Sequence, residues 1–178
     1  WMRAASVAAT AAVALAVFAP TPAIAQTGIA NTKHNLGSGT GPAGRNQTTN
    51  TAEICVFCHT PHGASSTLVA PLWNKALGNG SGYQVYNTAN STTLDGQVLT
   101  SVGSVSLACL SCHDGAQAMD NIINAPGSGQ YDATGGGPGG RAWAWTGATV
   151  DNATGALNGG VALLGTDLRD DHPIGIEY

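Results

Sequence analysis

Charge is scarce in this chain. Lys, Arg, Asp and Glu together make up 9% of its 178 residues and the aromatic residues 6%. Six Lys and Arg stand against ten Asp and Glu, a formal net charge of −4. Nothing in that balance supplies the basic surface that tracks a phosphate backbone or an anionic bilayer, so nucleic-acid and anionic-membrane binding are excluded, whereas a basic-faced partner suits it. Large side chains are few and glycines number 25. A thick, close-packed core is therefore excluded, and much of the chain has to be loop and turn. Cysteine is limited to four residues, and beyond Met2 the one methionine is Met119. Long apolar runs are also lacking: Ala4 to Ala19 is the longest and falls short of the ~20 residues a membrane-spanning helix needs.

That run follows Met2-Arg3 and precedes Pro20, Pro22 and Ala23-Ile24-Ala25. A charged start, a short apolar stretch and an A-x-A site are the order of a secretory signal peptide. Residues 1–25 are expected to be removed after Ala25, with an uncleaved anchor as the alternative. Residues 26–178 then form one domain, placed in the periplasm or at the cell surface.

All four cysteines fall in two copies of one pentapeptide, Cys55-Val56-Phe57-Cys58-His59 and Cys109-Leu110-Ser111-Cys112-His113. Residues i, i+3 and i+4 share a face of a helical turn. Two thiols so placed can bond the two vinyl groups of one haem while the imidazole reaches its iron, and Cys-x-x-Cys-His is the attachment signature of c-type haem. A disulfide, a redox Cys-x-x-Cys pair or a four-cysteine zinc site uses the same cysteines. None of them asks for a histidine after each pair. The expectation is two covalent haems c, with Cys55, Cys58, Cys109 and Cys112 as thioethers and His59 and His113 as proximal iron ligands. Their four propionates add to the acidity of the surface.

Asn50 and Glu53 have the form of a capping arrangement for a helix carrying the first motif, ended by Pro61 and Gly63. Ser104 suits the N-cap of a second helix reaching His113. Gln117 to Ile123 reads as a further helical turn, 26–50 as extended coil, and Gly127 to Gly160 as a long loop. Arg141 to Trp145 alternates like a short strand with two Trp on one side. Met119 is expected in the core rather than on an iron.

Five histidines occur in the sequence. With His59 and His113 proximal, His34, His62 and His172 remain for two distal positions. His62 follows His59 too closely to pass round its own haem, so it is assigned to the second; His34 or His172 is assigned to the first. One histidine is left spare, structural, or donated to a neighbouring subunit. Pro173 holds His172 extended, which suits a side chain projecting from a loop.

The strings Lys33-His34-Asn35-Leu36, Ile54 to His62, Ser106 to Gly115 and His172-Pro173-Ile174-Gly175 resemble exported multihaem c-type cytochromes of the doubled Cys-x-x-Cys-His type, a cytochrome c3-like group associated with metal respiration. The resemblance implies low-potential, bis-histidine haems that pass electrons, and functional places for His34, His62 and His172. Two haems on this length of chain is sparse for that group, which excludes a long multihaem wire within one subunit.

The expected fold is mostly irregular coil with short α-helices organised around two covalent haems, and little β. The expected function is electron transfer outside the cytoplasm to redox partner proteins, another cytochrome or a basic-faced donor or acceptor, with no small-molecule substrate. A subunit of a conducting cytochrome filament, self-assembled through the spare histidine, and a dihaem peroxidase or reductase with one open iron are the alternatives.

Overall fold

The computed structural model describes residues 28–67, 70–77, 80–86, 97–98, 100–127, 130–171 and 176–177. His172 and the segment 1–25 lie outside them. Among the described residues, one α-helix, α1 (Ser104–His113), and two short 3-10 turns, Ile29–Asn31 and Cys55–Phe57, are set in coil. Two antiparallel ladders of two-residue strands join distant parts of the chain. Strand β1 (Gln47–Thr48) pairs with β3 (Trp145–Thr146) in the register Gln47 to Thr146, and β2 (Gln97–Val98) pairs with β4 (Ile176–Glu177) in the register Gln97 to Glu177. Few helices and little β is the architecture the composition led us to expect. No described helix is long and apolar enough to cross a membrane.

Helix α1 is apolar on two sides. Leu107, Leu110 and Ser111, at helical spacing, are buried, Leu110 to 2% exposure. The opposite side carries Val105, 66% exposed, and Cys109, also exposed. The helix begins one residue before the expected position, after Gly103 in extended conformation. It ends where the Asp114 carboxylate accepts from the Ala116 and Gln117 N–H groups and Gly115 turns at φ 67°.

The first motif differs from expectation. Instead of a capped α-helix there is only the 3-10 turn Cys55–Phe57, preceded by Ile54 with no side-chain cap. The reason lies in competing hydrogen bonds. Asn50 Oδ1 accepts from Ala144 N, and Thr51 Oγ1 accepts from Glu53 N, so neither end of the proposed cap is used. The next residues pair with 72–74 rather than winding on: Asn74 N donates to Cys58 O and Thr60 N to Leu72 O. No helical turn forms over 117–123 either. There the N–H groups of Ala118, Met119 and Ile123 go to the carbonyls of Pro138, Gly155 and Asn74.

Buried side chains gather in two clusters. The larger holds Leu36, Val56, Phe57, Met119, Ile122, Trp145, Val150 and Leu157, with Cys58 and Cys112 packed on its edge. The smaller holds Val102, Leu107, Leu110 and Leu168. Trp143 and Trp145 both face Phe57, at 6.0 and 5.9 Å between ring centroids, so the pair of tryptophans fills core as expected. Buried polar side chains do much of what a sheet would do elsewhere. Asn74, with no exposed surface, donates to Val56 O and Asn124 O and accepts from Asn124 N, tying the first motif to 123–124. Lys75 Nζ donates to Met119 O at 2.8 Å and to Ala118 O at 3.4 Å.

Candidate functional site

The two motifs are held in the same way on different local structures. In each, the residues between the cysteines are buried: Val56 and Phe57 in the first, Leu110 and Ser111 in the second. Each first cysteine, Cys55 and Cys109, is exposed, and each second, Cys58 and Cys112, is half-buried. The motifs are thus pinned by their middle residues. All four thiols are free. Burial, aided by the nearby Cys112 thiol, pushes the Cys58 thiol up to about 11. A thiol kept neutral through the ordinary pH range is a poor disulfide nucleophile.

Both motif histidines have the same second contact. His59 Nδ1 lies 2.9 Å from Pro71 O, and His113 Nδ1 lies 2.6 Å from Ala162 O. A carbonyl oxygen can only accept, so Nδ1 is the donor in each ring, and in the neutral imidazole the lone pair is on Nε2. A backbone carbonyl behind a ring nitrogen is how proteins set the tautomer of a metal-binding histidine. The Trp73 ring stands edge-on to His59, with centroids 5.8 Å apart. His113 is held from the backbone too, since Leu164 N and Gly165 N both donate to its carbonyl. The strap 160–165 therefore grips this histidine at both its ring and its main chain.

Beside His113 stands His34, with ring centroids 6.2 Å apart and planes at 76°. The loop carrying it is fixed by Asn35, whose Nδ2 donates to Ala30 O and Thr40 O, and by Leu36 in the core. The two imidazoles line one largely apolar cavity of about 330 Å³ together with Cys58, Cys112, Phe57 and Met119. Met119 is buried in the larger cluster, as expected, and also reaches this cavity.

No protein-family model and no curated protein matches the chain.

Of the three histidines outside the motifs, His34 has its ring beside His113, and His172 lies outside the described residues. His62 is exposed, on a loop whose carbonyl accepts from Thr60 Oγ1 and Asn124 Nδ2 and which turns at Gly63, φ 62°. Cys58 of the first motif and Cys112 of the second share one cavity wall, so the structure brings the two motifs together. Sequence reasoning missed Pro71, Ala162 and Asn74. The first two act through main-chain carbonyls, which leave no mark in a sequence, and Asn74 is one asparagine among many.

Proposed function

We propose that the chain is a dihaem c-type cytochrome that carries electrons outside the cytoplasm through bis-histidine irons. The observation that carries this reading is the facing pair His34 and His113. At metal–imidazole bonds of about 2.0–2.1 Å, two rings on opposite sides of one metal have centroids about 6 Å apart. Two imidazoles in simple edge contact reach a similar separation. The Ala162 carbonyl behind His113 Nδ1 favours the ligand reading, because it leaves Nε2 available.

On this reading Cys109 and Cys112 would hold one haem, with His113 and His34 as ligands of its iron, and Cys55, Cys58 and His59 would hold the other. Haem iron held there would supply one-electron redox chemistry. The protein's part is to saturate the iron with histidine, bury one edge of each site, and set ligand basicity through the Pro71 and Ala162 carbonyls. His172 is the remaining distal ligand for the His59 iron. His62, exposed and short of reach to its own haem, then becomes the spare histidine. With three histidines for two distal places, a second reading has it ligate an iron of a neighbouring copy, so that the chain assembles into filaments.

The deciding experiment is an optical and EPR spectrum of protein made in a host that attaches haem, beside His34→Ala, His62→Ala and His172→Ala. Two low-spin irons are expected, with His34→Ala and His172→Ala each turning one iron high-spin. A high-spin iron in the unaltered protein would replace the carrier reading with that of an enzyme binding a small molecule there. If His62→Ala turns an iron high-spin and dissolves larger assemblies seen by size-exclusion chromatography, the filament reading prevails.

A further inference from the structure

Three of the five described cations have partners away from the His34–His113 cavity. Lys75 is buried on the carbonyls of Met119 and Ala118, Arg141 donates to those of Ile122, Ile123 and Gln130, and Arg169 pairs with Asp167. The other two, Lys33 and Arg45, line the cavity that His34 and His113 share. Among the described residues Arg169–Asp167 is the one ion pair, so neither Lys33 nor Arg45 has a carboxylate there. Both are nonetheless held in place. Lys33 Nζ donates to Ala43 O at 2.5 Å, and Arg45 Nη2 donates to the carbonyls of Gly37 and Gly39. Arg45 Nε is buried and has no partner among the described residues. Gly41 packs so closely on the guanidinium that a Cβ there would come within 2.6 Å of Nη1.

Two fixed positive charges at an apolar cavity, on a chain of net negative charge, make a site for carboxylate. A guanidinium binds carboxylate through its planar donors, and an ammonium through its point charge. Resting on the dihaem reading above, we infer that Lys33 and Arg45 hold the propionates of the haem ligated by His113 and His34. The pair also sets which haem is reduced first. Fixed cations favour the reduced, more negative state of a nearby haem, so they raise its potential relative to the same haem without them.

The test is a spectroelectrochemical titration of the full haem-loaded protein, with haem content per chain measured first by mass and by haemochrome absorbance. His34→Met, which exchanges histidine for thioether and raises the potential of its iron, marks the wave that belongs to the His34–His113 haem. Lys33→Gln and Arg45→Gln are each expected to lower that wave, the double variant most, with a smaller movement of the other. Arg45→Lys keeps the wave near its original place, because it retains the charge while losing the planar contacts to the Gly37 and Gly39 carbonyls. Arg169→Gln leaves both waves unmoved. Marked-wave potentials identical to the unaltered protein in both Gln variants would overturn the inference, as would movement of the unmarked wave alone. A chain carrying no covalent haem would overturn the proposed function itself, whereas two haems with unmoved waves would remove only the role of Lys33 and Arg45.

Discussion

Asn74 joins three backbone groups from two separate segments and has no exposed surface. Substituting Leu leaves the Val56 and Asn124 carbonyls and the Asn124 N–H buried without partners, at about 1–3 kcal/mol for each group left unsatisfied. Asn74→Leu is therefore expected to lower stability by at least about 3 kcal/mol, read from the midpoint of chemical denaturation. Asp120 gives a pH-dependent case. It is almost fully buried, and desolvation holds its carboxyl above the ordinary carboxylate value in spite of the Trp143 N–H and the nearby Lys75. An acid whose pKa is raised on folding contributes stability that is fully present below its unfolded value and lost as pH rises through its folded value. Asp132, Asp151 and Asp167 are lowered and have the opposite sign, but they are common to both proteins in a comparison with Asp120→Asn. From about pH 4 upward the unaltered protein should therefore lose more stability than Asp120→Asn. Parallel denaturation curves across that range would show that Asp120 does not titrate differently in the folded state.

Among the elements, α1 was the most legible. Leu107, Leu110 and Ser111 repeat at helical spacing, and Asp114-Gly115 marks the end, so its bounds could be read to within one residue. Leu110→Ala is expected to cost about 2–5 kcal/mol, because the smaller cluster around it has few side chains to close the gap. The turn Cys55–Phe57 was misread as a helix for a reason that operates between elements. Its flanking backbone groups bond to 72–74 and the Asn50 side chain accepts from Ala144 N, and no local pattern announces such partners. The β1–β3 ladder is likewise set by packing, with Trp145 wedged between Phe57 and the turn at Gly155. A Cβ at Gly155 would lie 2.7 Å from Trp145 Nε1, at a φ of 70° that side chains rarely adopt. Gly155→Ala should cost about 1–3 kcal/mol and loosen the near-ultraviolet circular dichroism of the tryptophans. An unchanged tryptophan signal would mean that the turn yields without disturbing the ring.

Among the described residues, two modest clusters and two short ladders hold a chain that is mainly coil. On the proposed function the covalent groups complete that interior, since α1 turns an apolar face outward at Val105 and Cys109 and the cavity beside His113 is lined mainly by apolar atoms. Replacing all four cysteines by serine is expected to abolish cooperative thermal unfolding, as followed by circular dichroism. A cooperative transition at the original temperature would show that the protein interior suffices alone. The acidic balance leads to a second expectation at this scale: reduction by a basic-faced partner should slow as ionic strength rises, whereas a salt-independent rate would argue against electrostatic steering.

What the sequence determined by itself is the chemistry written within five residues. Two thiols and an imidazole at i, i+3 and i+4 share a face of an α-helical turn, whereas a 3-10 turn aligns only i and i+3; both motifs were legible from their residue spacing, although only one lies on the expected helix. Composition likewise determined the sparse core and the excess of coil. Only the tertiary structure decided which histidine meets which, and which carbonyls stand behind them. His34 reaches His113 because the Asn35 anchor and the 160–165 strap close two coil segments onto the end of α1. Those closures are made by side chains bonding to main chain at long sequence separation, where neither a hydrophobic period nor a motif spacing records the partner.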